Sequence, residues 1–82
     1  MMNLTVKVFG PQARLLGREQ VTVALDEPAT CHDVRRALAA TEPALAASLD
    51  ASRFAVNHEY VKDEQRVAAD DEVALIGMIS GG

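Results

Sequence analysis

Leu4, Val6 and Val8 alternate with Thr5, Lys7 and Phe9, the period of two that turns every second side chain to one face of a strand. A first strand with one buried face is predicted. Gly10-Pro11 breaks the alternation. Residues 12–16 then have room for one helical turn, and Gly17 is placed to stop it in the left-handed conformation. Leu15 and Leu16 are expected to cover the sheet edge. The alternation returns in Val21, Val23 and Leu25 against Gln20, Thr22 and Ala24, and the short connection predicts a second strand antiparallel to the first.

The period then changes. Asp26-Glu27-Pro28 is a polar breaker, and Thr30 followed three residues later by Asp33 is a variant capping box that opens a helix running to about Thr41. Cys31, Val34, Ala37 and Leu38 fall on one face of that helix. Arg35, Arg36 and Glu42 fall mostly elsewhere, so the helix should lie on the sheet. Pro43 permits a second short turn through Leu49, with Leu45 and Leu49 one turn apart. Phe54 and Val56 share a sheet face, Asn57-His58-Glu59 supplies a turn, and Tyr60-Val61 completes a short strand pair. Residues 62–69 read as a polar connection, Asp70-Asp71-Glu72 as a turn, and residues 73–76 as the last strand. The order is β-β-α-β-β with a final strand near the C-terminus, an α+β chain whose mixed sheet carries one main helix.

Composition narrows what such a domain does. The chain has 82 residues, enough for one domain that buries about 60% of its unfolded surface. Apolar residues make up 49% and charged ones 24%, which is globular composition. A net charge of −4 argues against a nucleic-acid binder, which needs a Lys/Arg surface to release counterions, and suits a basic protein partner. The single Cys31 forms no intrachain disulfide, which fits a reducing compartment. Residues 1–10 carry Lys7 within an alternating pattern, without the apolar run of a signal peptide or a membrane span. Cytoplasm is expected, with no membrane contact.

The segment after the last strand is unlike the rest. Met78-Ile79-Ser80-Gly81-Gly82 is uncharged and ends on two residues without side chains. Small polar chain ends are often idle and disordered, but Met78 and Ile79 are apolar, where an idle tail is more usually polar and charged. The domain is therefore read as residues 1–77 and a flexible tail as residues 78–82, the tail being meant for insertion into another protein. Gly81 and Gly82 let the backbone thread a narrow channel, and five extended residues reach at most about 17 Å. Ile76, Met78, Ile79 and Ser80 are the candidate partner contacts.

Other candidates carry less. His32 and His58 lie apart, with no Cys or carboxylate at ligand spacing, so no metal is expected and both read as surface or capping residues. Cys31 near a helix start has either a lowered thiol pKa or the role of a small buried residue on the helix's inner face. Asp70-Asp71-Glu72 is too compact for a calcium loop. No nucleophile, base and orienting group are evident together.

Three segments carry a resemblance. Val8-Phe9-Gly10-Pro11-Gln12-Ala13-Arg14-Leu15-Leu16-Gly17, Phe54-Ala55-Val56-Asn57, and Asp71-Glu72-Val73-Ala74-Leu75-Ile76 with the terminal Ser80-Gly81-Gly82 together resemble the MoaD/ThiS sulfur-carrier family. They are most like its molybdopterin branch, the small subunits of molybdopterin synthase. The resemblance implies the ubiquitin-like β-grasp fold and its strand pairing. Gly77-Met78 stands where many members place prolines.

The resemblance also implies a chemistry. A carboxylate is a poor electrophile, so an E1-like adenylating enzyme would use ATP to join Gly82 to AMP as a mixed anhydride. A sulfur-donating enzyme would then supply sulfur, leaving a thiocarboxylate. That sulfur would pass to the pyranopterin precursor on the molybdopterin synthase large subunit, which would hold the acid-base groups. The chain itself would bind no cofactor and catalyse nothing alone. Other pathways for the same carrier (thiamine, tRNA thiolation, cysteine), a ubiquitin-like protein modifier joined through Gly82, and a binding module with an inert tail remain as alternatives.

Overall fold

The computed structural model describes residues 1–77; Met78, Ile79, Ser80, Gly81 and Gly82 lie outside the described residues. The first strand, β1 (Met2–Val8), buries Met2, Leu4, Val6 and Val8. It pairs antiparallel with β2 (Gln20–Leu25) from Met2↔Leu25 to Lys7↔Gln20, a register that keeps both apolar sets on one face. Between them α1 (Gly10–Leu16) starts two residues earlier than the pattern predicts, because Pro11 fits the first turn. Gly17 ends it with φ 70°. Leu15, expected to cover the sheet edge, is instead 59% exposed. The inward row of this short helix is Gln12, Ala13 and Leu16, and Leu15 falls about 100° away from Leu16.

A two-residue strand, β3 (Ala29–Thr30), leads into the main helix, α2 (Cys31–Thr41). Its capping box is complete: the Asp33 backbone N–H donates to Thr30 Oγ1 at 3.4 Å, and the Thr30 N–H donates to Asp33 Oδ2 at 2.9 Å. Cys31, Val34 and Leu38 are buried, and α2 packs across β2. A 3₁₀ turn at Pro43–Leu45 and the short α3 (Ala46–Leu49) deliver Leu45 and Leu49 to the same core.

The hairpin of β4 (Ser52–Val56) and β5 (Glu59–Val61) turns on Asn57 and His58, with φ of 52° and 72°. Left-handed values at both central residues match the twist of a two-residue hairpin. Asn57 also ties the hairpin to the start of the last strand, since its Oδ1 accepts the Glu72 N–H at 3.0 Å and its own N–H donates to the Glu72 carbonyl at 2.8 Å. That last strand, β7 (Val73–Gly77), lies between β1, to which it is parallel, and β4, to which it is antiparallel. The sheet order is β2-β1-β7-β4-β5, the mixed β-grasp sheet with its helices on one face.

Residues 62–69 are not merely a polar connection. They contain β6 (Arg66–Val67), which pairs antiparallel with β3 through Ala29↔Val67 and Thr30↔Arg66. Val67 is 7% exposed, and one apolar residue in a polar run has no period to reveal it.

Arg35 departs from expectation more usefully. Although off the apolar stripe of α2, it reaches back under the sheet with its side chain only 19% exposed. Its Nε and Nη2 donate to the two carboxylate oxygens of Asp63 at 3.0 and 2.8 Å, and Nη1 donates to the carbonyls of Leu49 and Ser52. The guanidinium lies 5.1 Å from the Phe54 ring centroid, so the long stem is packing as well as charge.

The Arg35 hydrogen bonds hold the Asp63 carboxyl below its ordinary value of 3.8. A depressed carboxylate stabilises the fold above its unfolded pKa and loses that contribution as pH falls through the folded one. Urea midpoints should therefore drop as pH is lowered from about 5 to about 2, and Asp63→Asn should flatten that dependence. Asp63 is 38% exposed, so solvent screening keeps its share to about 1 kcal/mol.

Candidate functional site

The candidate site is the end of β7, where the described residues stop at Gly77. β7 is the central strand, and its inner-face residues Val73 and Leu75 are fully buried, so the segment that follows is anchored on a rigid element flanked on both sides. Among the described residues Val8↔Leu75 is the last pair on one side and Ser52↔Gly77 on the other. Ile76 points to the outer face, half-buried, where it shares a shallow depression with Phe9, Ala55 and Ala74. Phe9 is 51% exposed and Tyr60 62%. The rim of that face is charged: Glu72 meets Lys7 at 3.4 Å and His58 at 3.3 Å.

Beside that depression, with Phe9 and Ile76 shared between them, the end of β7 borders a second cavity of about 230 Å³. Phe9, Pro11, Ala51 and Ile76 form its walls, and Gln12 and Gly77 lie within it. Gln12 is 6% exposed, and a Cβ on Gly77 would come within 3.2 Å of its Oε1. A side chain at residue 77 would need the Gln12 amide to give by a few tenths of an ångström.

Of the residues singled out from the sequence, Ile76 takes its place beside the exit. Met78, Ile79, Ser80, Gly81 and Gly82 lie outside the described residues, so the chemistry of the terminal carboxylate rests on the sequence. Two residues of the site were not foreseen. Gln12 sits in α1 with polar partners supplied by α3 and β4, and Phe9 continues the alternation of β1 but faces outward. The Pro11-Gln12 helix start hinted at the first, and the alternation that sets Phe9 with Thr5 and Lys7 hinted at the second.

The remaining candidates separate cleanly. Among the described residues no group of three or more His, Cys, Asp and Glu is placed to hold a metal ion. His32 and His58 are exposed, at 3.8 Å from Asp63 and 3.3 Å from Glu72. Asp71 accepts from the Asn57 side chain and the Ala68 N–H, which makes the acidic turn a structural one. Cys31 is buried, and desolvation pushes its thiol up to about 11, so burial outweighs any lowering from the helix start. A thiolate is the nucleophile. Cys31 should therefore resist iodoacetamide at pH about 8 in the folded protein and react at the free-thiol rate once urea unfolds it, as intact mass reports. Rapid labelling of the folded chain would contradict its burial. Among the described residues no helix is long and apolar enough to cross a membrane.

Comparison with known proteins places this geometry. The molybdopterin synthase sulfur carrier subunit of Chlamydomonas reinhardtii is 32% identical over 83 residues, spanning 99% of this chain and all of that protein. The crystal structure of SAMP1, small archaeal modifier protein 1, from Haloferax volcanii superposes with a TM-score of 0.85 at 31% identity, covering 98% of this chain and 99% of that one. A complex of subunits 1 and 2 of molybdopterin-converting factor from Helicobacter pylori contains a chain of the same fold, with a TM-score of 0.67 at 20% identity over 99% of this chain and all of that one. The sequence pattern of the ThiS family matches residues 6–82, and the chain belongs to that family of sulfur carriers.

Proposed function

We propose that this chain is the sulfur carrier of molybdopterin synthesis, the small subunit that brings sulfur and leaves catalysis to its partner. The observation that supports this best is the near-complete alignment with a molybdopterin synthase sulfur carrier subunit, joined to an uncharged Gly81-Gly82 end that follows the central strand by a few residues. In this reading an E1-like enzyme spends ATP to convert the Gly82 carboxylate to an acyl adenylate, releasing pyrophosphate. Sulfide-level sulfur from a sulfur-donating enzyme attacks the acyl carbon as hydrosulfide, AMP leaves, and the thiocarboxylate remains. The large subunit then receives residues 78–82 and transfers the sulfur to the pyranopterin precursor. Ordering that backbone costs about 1–2 kcal/mol per residue. Ile76, Met78, Ile79 and the exposed Phe9 supply the apolar contact that offsets it. The chain works in the cytoplasm and binds no cofactor of its own.

Intact mass tests the carrier step. After co-expression with an E1-like enzyme and a sulfur source, the protein should gain the difference between sulfur and oxygen; no gain under conditions that charge a control carrier would refute it. Mixing the charged form with purified large subunit and pyranopterin precursor tests the pathway. The likeness to SAMP1 favours a second reading as a protein modifier, which predicts lysine conjugates in cells that vanish when Gly82 is deleted.

A further inference from the structure

The whole-chain charge of −4 points to a basic partner, and the outer face of the sheet reads the other way. The strand register assigns that face. Arg53 pairs with Ile76, Ala55 with Ala74 and Tyr60, and Lys7 with Ala74, while the alternate residues Phe54, Val73 and Leu75 fill the core. The charged side chains that these strands turn outward, Lys7 and Arg53, are both cations. Lys62, one residue past β5, continues the row of Tyr60 and shares a depression with Arg53.

The three cations differ in what they meet. Lys7 is met by Glu72 at 3.4 Å. Arg53 and Lys62 are exposed, and among the described residues neither forms an ion pair. Of the acids in their depression, Asp63 is taken by Arg35 and Glu64 is left, so positive charge stays in excess. That excess lies beside the end of β7, because Arg53 is directly across from Ile76 and Ser52 from Gly77.

A cationic corner on an acidic protein selects the charge of what docks there. An acidic surface is repelled by the chain as a whole and attracted at this corner, so encounters are oriented with the end of β7 toward the partner. The Gly82 carboxylate and ATP need the opposite sign at the reaction site. The two demands do not collide, because residues 78–82 reach up to about 17 Å, about two screening lengths at physiological ionic strength.

We propose that Arg53 and Lys62 dock on carboxylates of the ATP-using enzyme that activates Gly82, beside the apolar contact made by Phe9 and Ile76. The inference rests on the sulfur-carrier reading and adds to it the charge of the surface that this enzyme must present.

Charge reversal on the full chain tests it. With Arg53→Glu and Lys62→Glu together, kcat/KM for charging, read as pyrophosphate release, should fall at least about tenfold at low salt while kcat stays within about twofold of wild type. In about 1 M salt, where the screening length is about 3 Å, the gap should close to under about threefold. Arg36→Glu with Arg66→Glu makes the same change in net charge at exposed positions of α2 and β6 and should cost less than about threefold at low salt. Equal losses in the two double variants overturn the proposal, as does faster charging of the first, which would mean a basic partner surface.

A probe without the enzyme separates charge from chemistry. Hexaglutamate titrated into isotopically labelled full-length protein at low salt should shift the amides of Arg53, Tyr60, Lys62 and Ile76, and hexalysine should leave Arg53 and Lys62 in place. Shifts spread evenly over Arg36 and Arg66 overturn the proposal. So does movement of the Gly81 and Gly82 amides when Arg53 is reversed in the free chain, by showing that the chain's own terminal carboxylate is the acid held there. Normal charging that the reversed corner does not slow sinks this inference alone. A wild-type chain that is never charged, yet binds hexaglutamate at this corner, sinks the sulfur reading and leaves the acidic docking corner standing.

Discussion

Deleting Gly82 should abolish thiocarboxylate formation and leave the urea transition of the domain in place. The truncated chain still ends in a glycine carboxylate, that of Gly81, so the chemical group survives and only its reach changes. One residue is worth up to about 3.6 Å of extended chain, whereas a misplacement of about 1 Å at a reacting atom can cost about 100-fold. The loss of charging should therefore be at least that large, and on an intact-mass measurement it reads as no gain. The fold should have no stake in the deletion, because among the described residues the last sheet pair is Ser52↔Gly77 and every core residue lies between Met2 and Leu75. A transition that moves to lower urea would show that residues 78–82 belong to the sheet and not to a tail. Charging that persists on Gly81 would show that the adenylating enzyme does not measure length.

The parts of this fold that were legible in the sequence are those where one local signal decides. Alternation in residues 4–8 and 20–25 set two strands because each has a single buried face, and Thr30 with Asp33 marked the start of α2 because a cap needs only neighbours in sequence. Gly17 stopped α1 for the same local reason. What escaped depends on distant partners. Arg35 lies off the apolar stripe of α2 and is buried only because Phe54, Asp63 and two carbonyls meet it from elsewhere in the chain. Gln12 is buried by Ser48 and Ser52, more than thirty residues away. Val67 finds Ala29 across a two-residue ladder too short to show a period. At the site, the family and the terminal glycines were legible because each of the three segments that carry the resemblance is a run of neighbours in sequence. The cavity beside Gly77 was not, since no residue in it carries meaning until α1, α3 and β7 are brought together.

Phe54→Ala should cost about 3–5 kcal/mol of stability, the range for emptying a buried phenylalanine site. The ring is 1% exposed and is paired with Leu75 on one side and Val61 on the other, so the space it leaves is walled by strands that cannot collapse into it. The Arg35 guanidinium loses its aromatic face in the same step, for about 1–2 kcal/mol more where the pair is desolvated. A domain of this length is stable by about 4–12 kcal/mol in all. The variant should therefore be substantially destabilised, with a melting temperature lowered by at least about 15 °C. Phe54→Leu keeps most of the volume and should cost far less, about 1.5 kcal/mol. Urea unfolding followed by far-ultraviolet circular dichroism measures both, and a loss under about 1 kcal/mol for the alanine variant would mean that the ring does not hold this core. The consequence reaches the site through β7. Leu75, the cross-strand partner of Phe54, lies two residues before Gly77, so loosening that pair loosens the strand that leads into residues 78–82. In Phe54→Ala the charging yield should fall with the folded fraction, and recover with it when the temperature is lowered.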